Sequence, residues 1–264
     1  MKLLNQIQRG RTTAPRRTLV YGVHGVGKST FGSMAGAPVF IQTEDGLGNI
    51  ECERFPLATQ YADVVAALAE LYTEAHEYRT VIVDSLDWLE RLIWADVCKK
   101  RSIESIEDVG YGKGYVFALT HWREVLAGLD ALRNERGMGV ILLAHAQIER
   151  FANPETDTYD RYSPRLHKQA SALIQEWADE VLFATYSIHT KATDEGFGRK
   201  RVQGIGTGER IIRTTERPAH VAKNRLGLPD EIPLDYRIYA AFLRGENPLA
   251  TTEPETEQPQ TQGA

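Results

Sequence analysis

Gly22-Val23-His24-Gly25-Val26-Gly27-Lys28-Ser29 follows the pattern G-x-x-x-x-G-K-[ST]. Its glycines let the backbone wrap closely and turn N–H groups toward phosphate oxygens. The helix expected next would add the positive end of its dipole. Lys28 can reach β- and γ-phosphates, the Ser29 hydroxyl can bind Mg²⁺, and Thr30 is placed to help hold an α-phosphate. Gly22, Gly25, Val26, Gly27, Lys28, Ser29 and Thr30 therefore form the expected phosphate-binding set. His24 occupies an unconstrained position and reads as incidental.

Two acids follow in positions that suit the same chemistry. Asp84 ends the apolar run TVIVD and can hold Mg²⁺ through water from a strand tip. Its alternative is to cap, with Ser85, the helix that follows. Ser85 stands where many chains with such a phosphate loop carry a water-activating glutamate, so a base of that kind would have to come from elsewhere. Glu44, in FIQTEDG, is the candidate: parallel strands of such sheets end on one edge, where an acid can face the γ-phosphate. Asp45 could exchange roles with it, and both could instead cap the turn before Gly46.

Strands are expected at 17–22, 37–43, 80–84, 138–147 and 178–188, and helices at 28–36, 61–78, 86–100 and 114–137. The alternation predicts an α/β fold with a mainly parallel central sheet. The run at 80–84 is apolar and β-branched, as strands covered on both faces are. Segments 209–215 and 219–223 read as a late antiparallel pair. The glycine- and base-rich stretch 194–208 reads as a mobile hairpin.

An acid after the second strand, another after the third and a polar residue after the fourth resemble the RecA-like P-loop ATPase superfamily. That resemblance implies ATP and Mg²⁺ as cofactors. It makes Gln147, at the end of VILLAHAQ, the sensor of the γ-phosphate, with His145 two residues earlier on the same face. Lys223-Asn224-Arg225-Leu226-Gly227 resembles the KNRFG motif of bacterial RadA proteins, with leucine in place of phenylalanine. By that likeness Lys223 and Arg225 would reach the nucleotide of a neighbouring subunit, and the enzyme would be a head-to-tail ring or filament. In element order, the chain from the loop to about residue 245 is similar to phage-encoded RecA-like (AAA/RecA-type) ATPases, some of which serve single-strand annealing recombination.

In RecA-like proteins two loops face DNA. Here they would be 99–115, with Lys100, Arg101 and Lys113, and 148–168, with Arg150, Phe151, Arg161, Tyr162, Arg165 and Lys168. Cations for phosphate interleaved with rings for stacking suit single-stranded DNA, although neighbouring acids dilute the field.

The 264 residues carry a net charge of −5, which disfavours a constitutive nucleic-acid coat. Charge is uneven: residues 1–16 form a basic segment, 17–245 the expected core, and 246–264 an acidic tail too poor in large apolar residues to order itself. Cys52 and Cys98 match no metal-ligand spacing. No apolar run approaches the roughly 18 residues needed to span a bilayer, so a cytoplasmic protein with no membrane partner is expected. The expectation is a DNA-stimulated ATPase in phage recombination, repair or annealing, assembled as a homo-oligomer on single-stranded DNA and served by a single-strand binding protein. A small-molecule or nucleoside kinase, and an annealing protein using ATP only as a switch, are the alternatives.

Overall fold

The computed structural model describes residues 14–194 and 200–250, with residues 4, 7, 9 and 10. Side chains within the strands are described up to residue 187 and again from 208. Expectations for the rest of residues 1–13, for 195–199 and for the tail from 251 fall outside the described residues.

A central sheet carries the molecule. β1 (Arg17–Gly22), β2 (Pro38–Gln42), β3 (Glu53–Arg54), β4 (Thr80–Asp84), the first part of β5 (Gly139–Phe151) and β7 (Glu180–Asp194) are parallel. β8 (Lys200–Arg213) and β10 (Glu231–Pro233) continue the sheet antiparallel, giving the order β10-β8-β7-β1-β5-β4-β2-β3. All five residues of β4 are buried and five of six in β1, because helices cover both faces. Alternate residues feed two cores. Leu19, Tyr21, Val81 and Val83 meet α2 (Tyr61–Thr73), α3 (Leu86–Arg101) and α4 (Lys113–Glu135) through Leu68, Leu89 and Trp122. Val20 and Ile82 face Phe31 of α1 (Lys28–Ser33) and Tyr239 of α6 (Tyr236–Leu243). Among the described residues no helix is long and apolar enough to cross a membrane.

Three expectations change. The segment 148–168 is not a loop: β5 runs on to Phe151 and pairs antiparallel with β6 (Tyr159–Pro164), and α5 (Lys168–Trp177) follows at once. The late antiparallel strands exist with other partners. Residues 209–213 lie in β8, between β7 and β10, whereas Lys223 belongs to β9 (Lys223–Asn224), which pairs with β7. Between α3 and α4, the expected loop at 99–115 contains a short 3-10 helix, Ile106–Val109.

Candidate functional site

Register alone gathers the chemistry. Gly22 lies beside His145, and Asp84 lies beside both Gln42 and Leu143, so the tips of β1, β2, β4 and β5 share one edge. A cavity of about 370 Å³ opens there, lined by Gly25, Gly27, Lys28, Ser29, Thr30, Glu44, Asp84, His145 and Arg210 among others. A Cβ on Gly22 would lie 2.2 Å from the carbonyl oxygen of Ala184, so only glycine lets β7 close against the loop. Gly27 sits at φ 105°, a left-handed conformation that side chains resist.

Lys28 Nζ donates to the carbonyl oxygens of Gly22 (3.2 Å) and Val23 (3.1 Å). Burial lowers its pKa, partly offset by Asp84, Asp87 and Glu44. Ser29 Oγ donates to Asp84 Oδ2 at 2.6 Å. Burial raises the Asp84 carboxyl, the Ser29 bond acts against it, and Glu44 adds to the rise. A carboxylate buried at such cost beside a hydroxyl suits a cation that takes its remaining ligands from water and phosphate, as Mg²⁺ does. Among the described residues no cluster of three or more His, Cys, Asp or Glu could hold a metal by itself. The donor set thus fits a Mg–nucleotide rather than a bare ion.

Glu44 is fixed by its neighbours. Ser85 Oγ donates to Glu44 Oε2 at 2.9 Å, and Thr43 Oγ1 donates to the Ser85 carbonyl at 2.6 Å. The serine after Asp84 therefore orients the acid on the adjacent strand. His145 Nδ1 lies 3.8 Å from Glu44 Oε2 and 3.1 Å from both Asp87 oxygens. Asp87 also accepts from the His145 backbone N–H and from the Arg165 guanidinium. Burial opposes its charge, but these donors hold its carboxyl far below the ordinary range. The His24 ring stacks on His145 at 4.2 Å between centroids, and the charge of His145 followed by burial lowers its pKa. His24 is thus a contact of the phosphate edge, which no spacing in the sequence indicated.

Not every expected residue reaches this cavity. Gln147 is absent from its lining; its amide Nε2 donates to the carbonyls of Pro164 and Leu166. His145 stands at the cavity instead. Lys223 and Arg225 lie at the far end of the sheet, where Val181 and Glu180 begin β7. Lys223 Nζ donates to the carbonyls of Gln175, Glu176 and Ala178, closing the end of α5, and Arg225 meets Asp179 at 3.4 Å.

The DNA candidates divide. Lys100 pairs with Asp96 at 2.7 Å and Arg101 lies over the Phe117 ring. Lys113, Arg150 and Lys168 are exposed. Arg161 pairs with Glu149 and covers Phe151 at 3.9 Å. Tyr162 turns inward and stacks on Phe183, while Arg165 is held by Asp87. Sequence reasoning missed Ser85, Asp87 and Arg210. Asp87 had a faint signal as a second acid in the first turn after Asp84. Arg210 had none, because only the register of β8 brings it to the loop.

A family model described as an AAA domain matches residues 14–226. The chain is also 26% identical over 208 residues to the SPbeta prophage-derived uncharacterized protein YorG of Bacillus subtilis (strain 168), covering 71% of the chain and 60% of that protein. It therefore spans about 60% of the length of the relative it matches.

Proposed function

Because the chain belongs to the AAA domain family of nucleotide-binding ATPases, we propose that it is a Mg-dependent ATPase of RecA-like type, phage-encoded and acting in DNA recombination, repair or single-strand annealing. The observation that carries the ATPase part is the Glu44 carboxylate, anchored by Ser85 within the cavity that also holds Lys28, Ser29 and Asp84. The likeness to a prophage-derived protein supports a phage setting.

Lys28, freed from its two loop carbonyls, turns its ammonium to the β- and γ-phosphates. Ser29 and Asp84 hold Mg²⁺, which when bound supplies positive charge against the phosphate oxygens. Glu44 accepts a hydrogen bond from the attacking water and takes its proton. Ser85 keeps that acceptor in place. His145, between Glu44 and Asp87, reports the state of this end of the cavity to Arg165 at the base of the β5–β6 hairpin. The exposed cation Arg150 lies within that hairpin opposite Asp160, Lys168 follows it at the start of α5, and Lys113 opens α4; they are the surface offered to single-stranded DNA. Arg225, half exposed, is the cation offered to a neighbouring subunit in a ring or filament.

Steady-state ATP hydrolysis, measured with and without single-stranded DNA for wild type, Lys28→Ala and Glu44→Gln, tests the reading. DNA-stimulated turnover lost in both variants is expected. Turnover indifferent to DNA counts against the recombination role, and phosphate transfer to a nucleoside counts for a kinase. ATP binding without turnover in wild type counts for a switch-like annealing protein and removes Glu44 from its role.

A further inference from the structure

Among the described residues that line the cavity, Arg210 alone comes from the antiparallel side of the sheet. Its guanidinium lies against the phosphate loop: a Cβ on Gly27 would be 3.1 Å from Arg210 Nη1. Its backbone is pinned by the Leu234 N–H, which donates to its carbonyl at 3.0 Å. Its cross-strand partner on β7 is Tyr186, whose hydroxyl donates to the Gly25 carbonyl at 3.2 Å. The β7–β8 register shifts between Tyr186 and Ile188, immediately beside this pair, and such irregularities re-aim side chains. The ribbon thus touches the loop at two glycines. Among the described residues, no carboxylate lies within ion-pair distance of Arg210.

Charge gives this position a purpose. Among the described residues, two carboxylates, Glu44 and Asp84, line the cavity, and Lys28 is the other lysine or arginine there. Even with Mg²⁺ on Ser29 and Asp84, a polyphosphate beside two acids has room for a second cationic side chain besides Lys28. Position gives the ligand atoms. In the sheet order β8-β7-β1-β5-β4-β2, Arg210 approaches the P-loop strand β1 from the β8 side, whereas Glu44, Asp84 and His145 approach from β2, β4 and β5. With Glu44, Asp84 and His145 placed around the reacting phosphate, the opposite flank, where Arg210 stands, is left to the phosphates nearer the nucleoside.

Resting on the nucleotide-binding reading above, we propose that Arg210 is a phosphate ligand supplied by the same chain, gripping the diphosphate that ATP and ADP share, with Tyr186 positioning the loop beneath it. The test is the affinity of fluorescent ADP and ATP analogues for wild type, Arg210→Ala, Arg210→Lys and Lys28→Ala, together with nucleotide-free melting curves. Loss of one charged hydrogen-bonding partner should weaken both analogues about tenfold or more in Arg210→Ala, with part recovered in Arg210→Lys and melting without nucleotide unchanged. Equal affinity in Arg210→Ala, or a loss confined to the ATP analogue, overturns the proposal. Wild type that binds neither analogue, like Lys28→Ala, instead brings down the nucleotide reading and this proposal with it.

Discussion

Glu44 and Ser85 form a pair that neither residue's own stretch of sequence describes. Asp84 is followed by serine rather than glutamate, and that serine holds the acid at the end of the neighbouring strand. Glu44→Gln should keep nucleotide affinity and lower turnover by roughly 10²–10⁴-fold, as removal of a general base does. Ser85→Ala should lower turnover less and leave affinity alone; a stopped-flow comparison of binding and single-turnover rates separates the two. Glu180 offers a test of stability. It is fully buried beside Arg16, Thr18 and Tyr239, and burial pushes its carboxyl from 4.5 up to about 7. Between those values the folded chain keeps a proton that the unfolded chain has released, so this group's contribution falls as pH rises from about 4.5 through 7. Glu180→Gln should therefore melt increasingly above wild type as pH rises across that window, and the gap should level off beyond it. A gap that stays constant from pH 4.5 to 8 would show that Glu180 does not titrate there.

The parallel strands were legible element by element. Runs such as TVIVD are apolar on both faces because both faces are covered, and the phosphate loop is legible because strand, glycines and helix follow in order. The β5–β6 hairpin was not. Its strands place Glu149 opposite Arg161, and Phe151 opposite Tyr159, so their facing pairs mix ions with rings and show no apolar alternation. Arg210 stayed hidden for a related reason: strand register over many residues is not written in any local pattern. Gln147 is expected at the nucleotide by likeness to the RecA-like sensor glutamine, but β5 runs past it to Phe151, and the residue beside Gly22 at the loop is His145. Lys223 illustrates a conflict between motif and element. Three carbonyls at the end of α5 already claim its ammonium. Lys223→Met should lower stability by about 1–3 kcal/mol, since it leaves those acceptors unpaired, read as a lower Tm by calorimetry in the absence of nucleotide.

At the scale of the whole molecule, the cavity and Arg225 occupy opposite ends of one sheet, so a single chain cannot bring them together. If assembly is head to tail, Lys28→Ala and Arg225→Ala should each be inactive alone, and mixing the two should restore part of the turnover, because some interfaces then pair an intact loop with an intact arginine. Sedimentation with and without an ATP analogue should show the assembly that the mixing requires. No recovery on mixing, with stable oligomers present, would remove Arg225 from the active site. The sheet order has one more consequence, which concerns how the protein is made. β1 is synthesised well before its two neighbours, residues 140–145 and 180–184. At roughly 5–20 residues per second, the strand waits on the order of ten seconds for both partners. Until residue 145 is made β1 has neither neighbour, and until residue 184 it lacks the strand that closes against the glycine loop. Ribosome-bound chains stalled before residue 180 should accordingly fail to retain nucleotide, and such a nascent chain would be a natural client for chaperones during that interval.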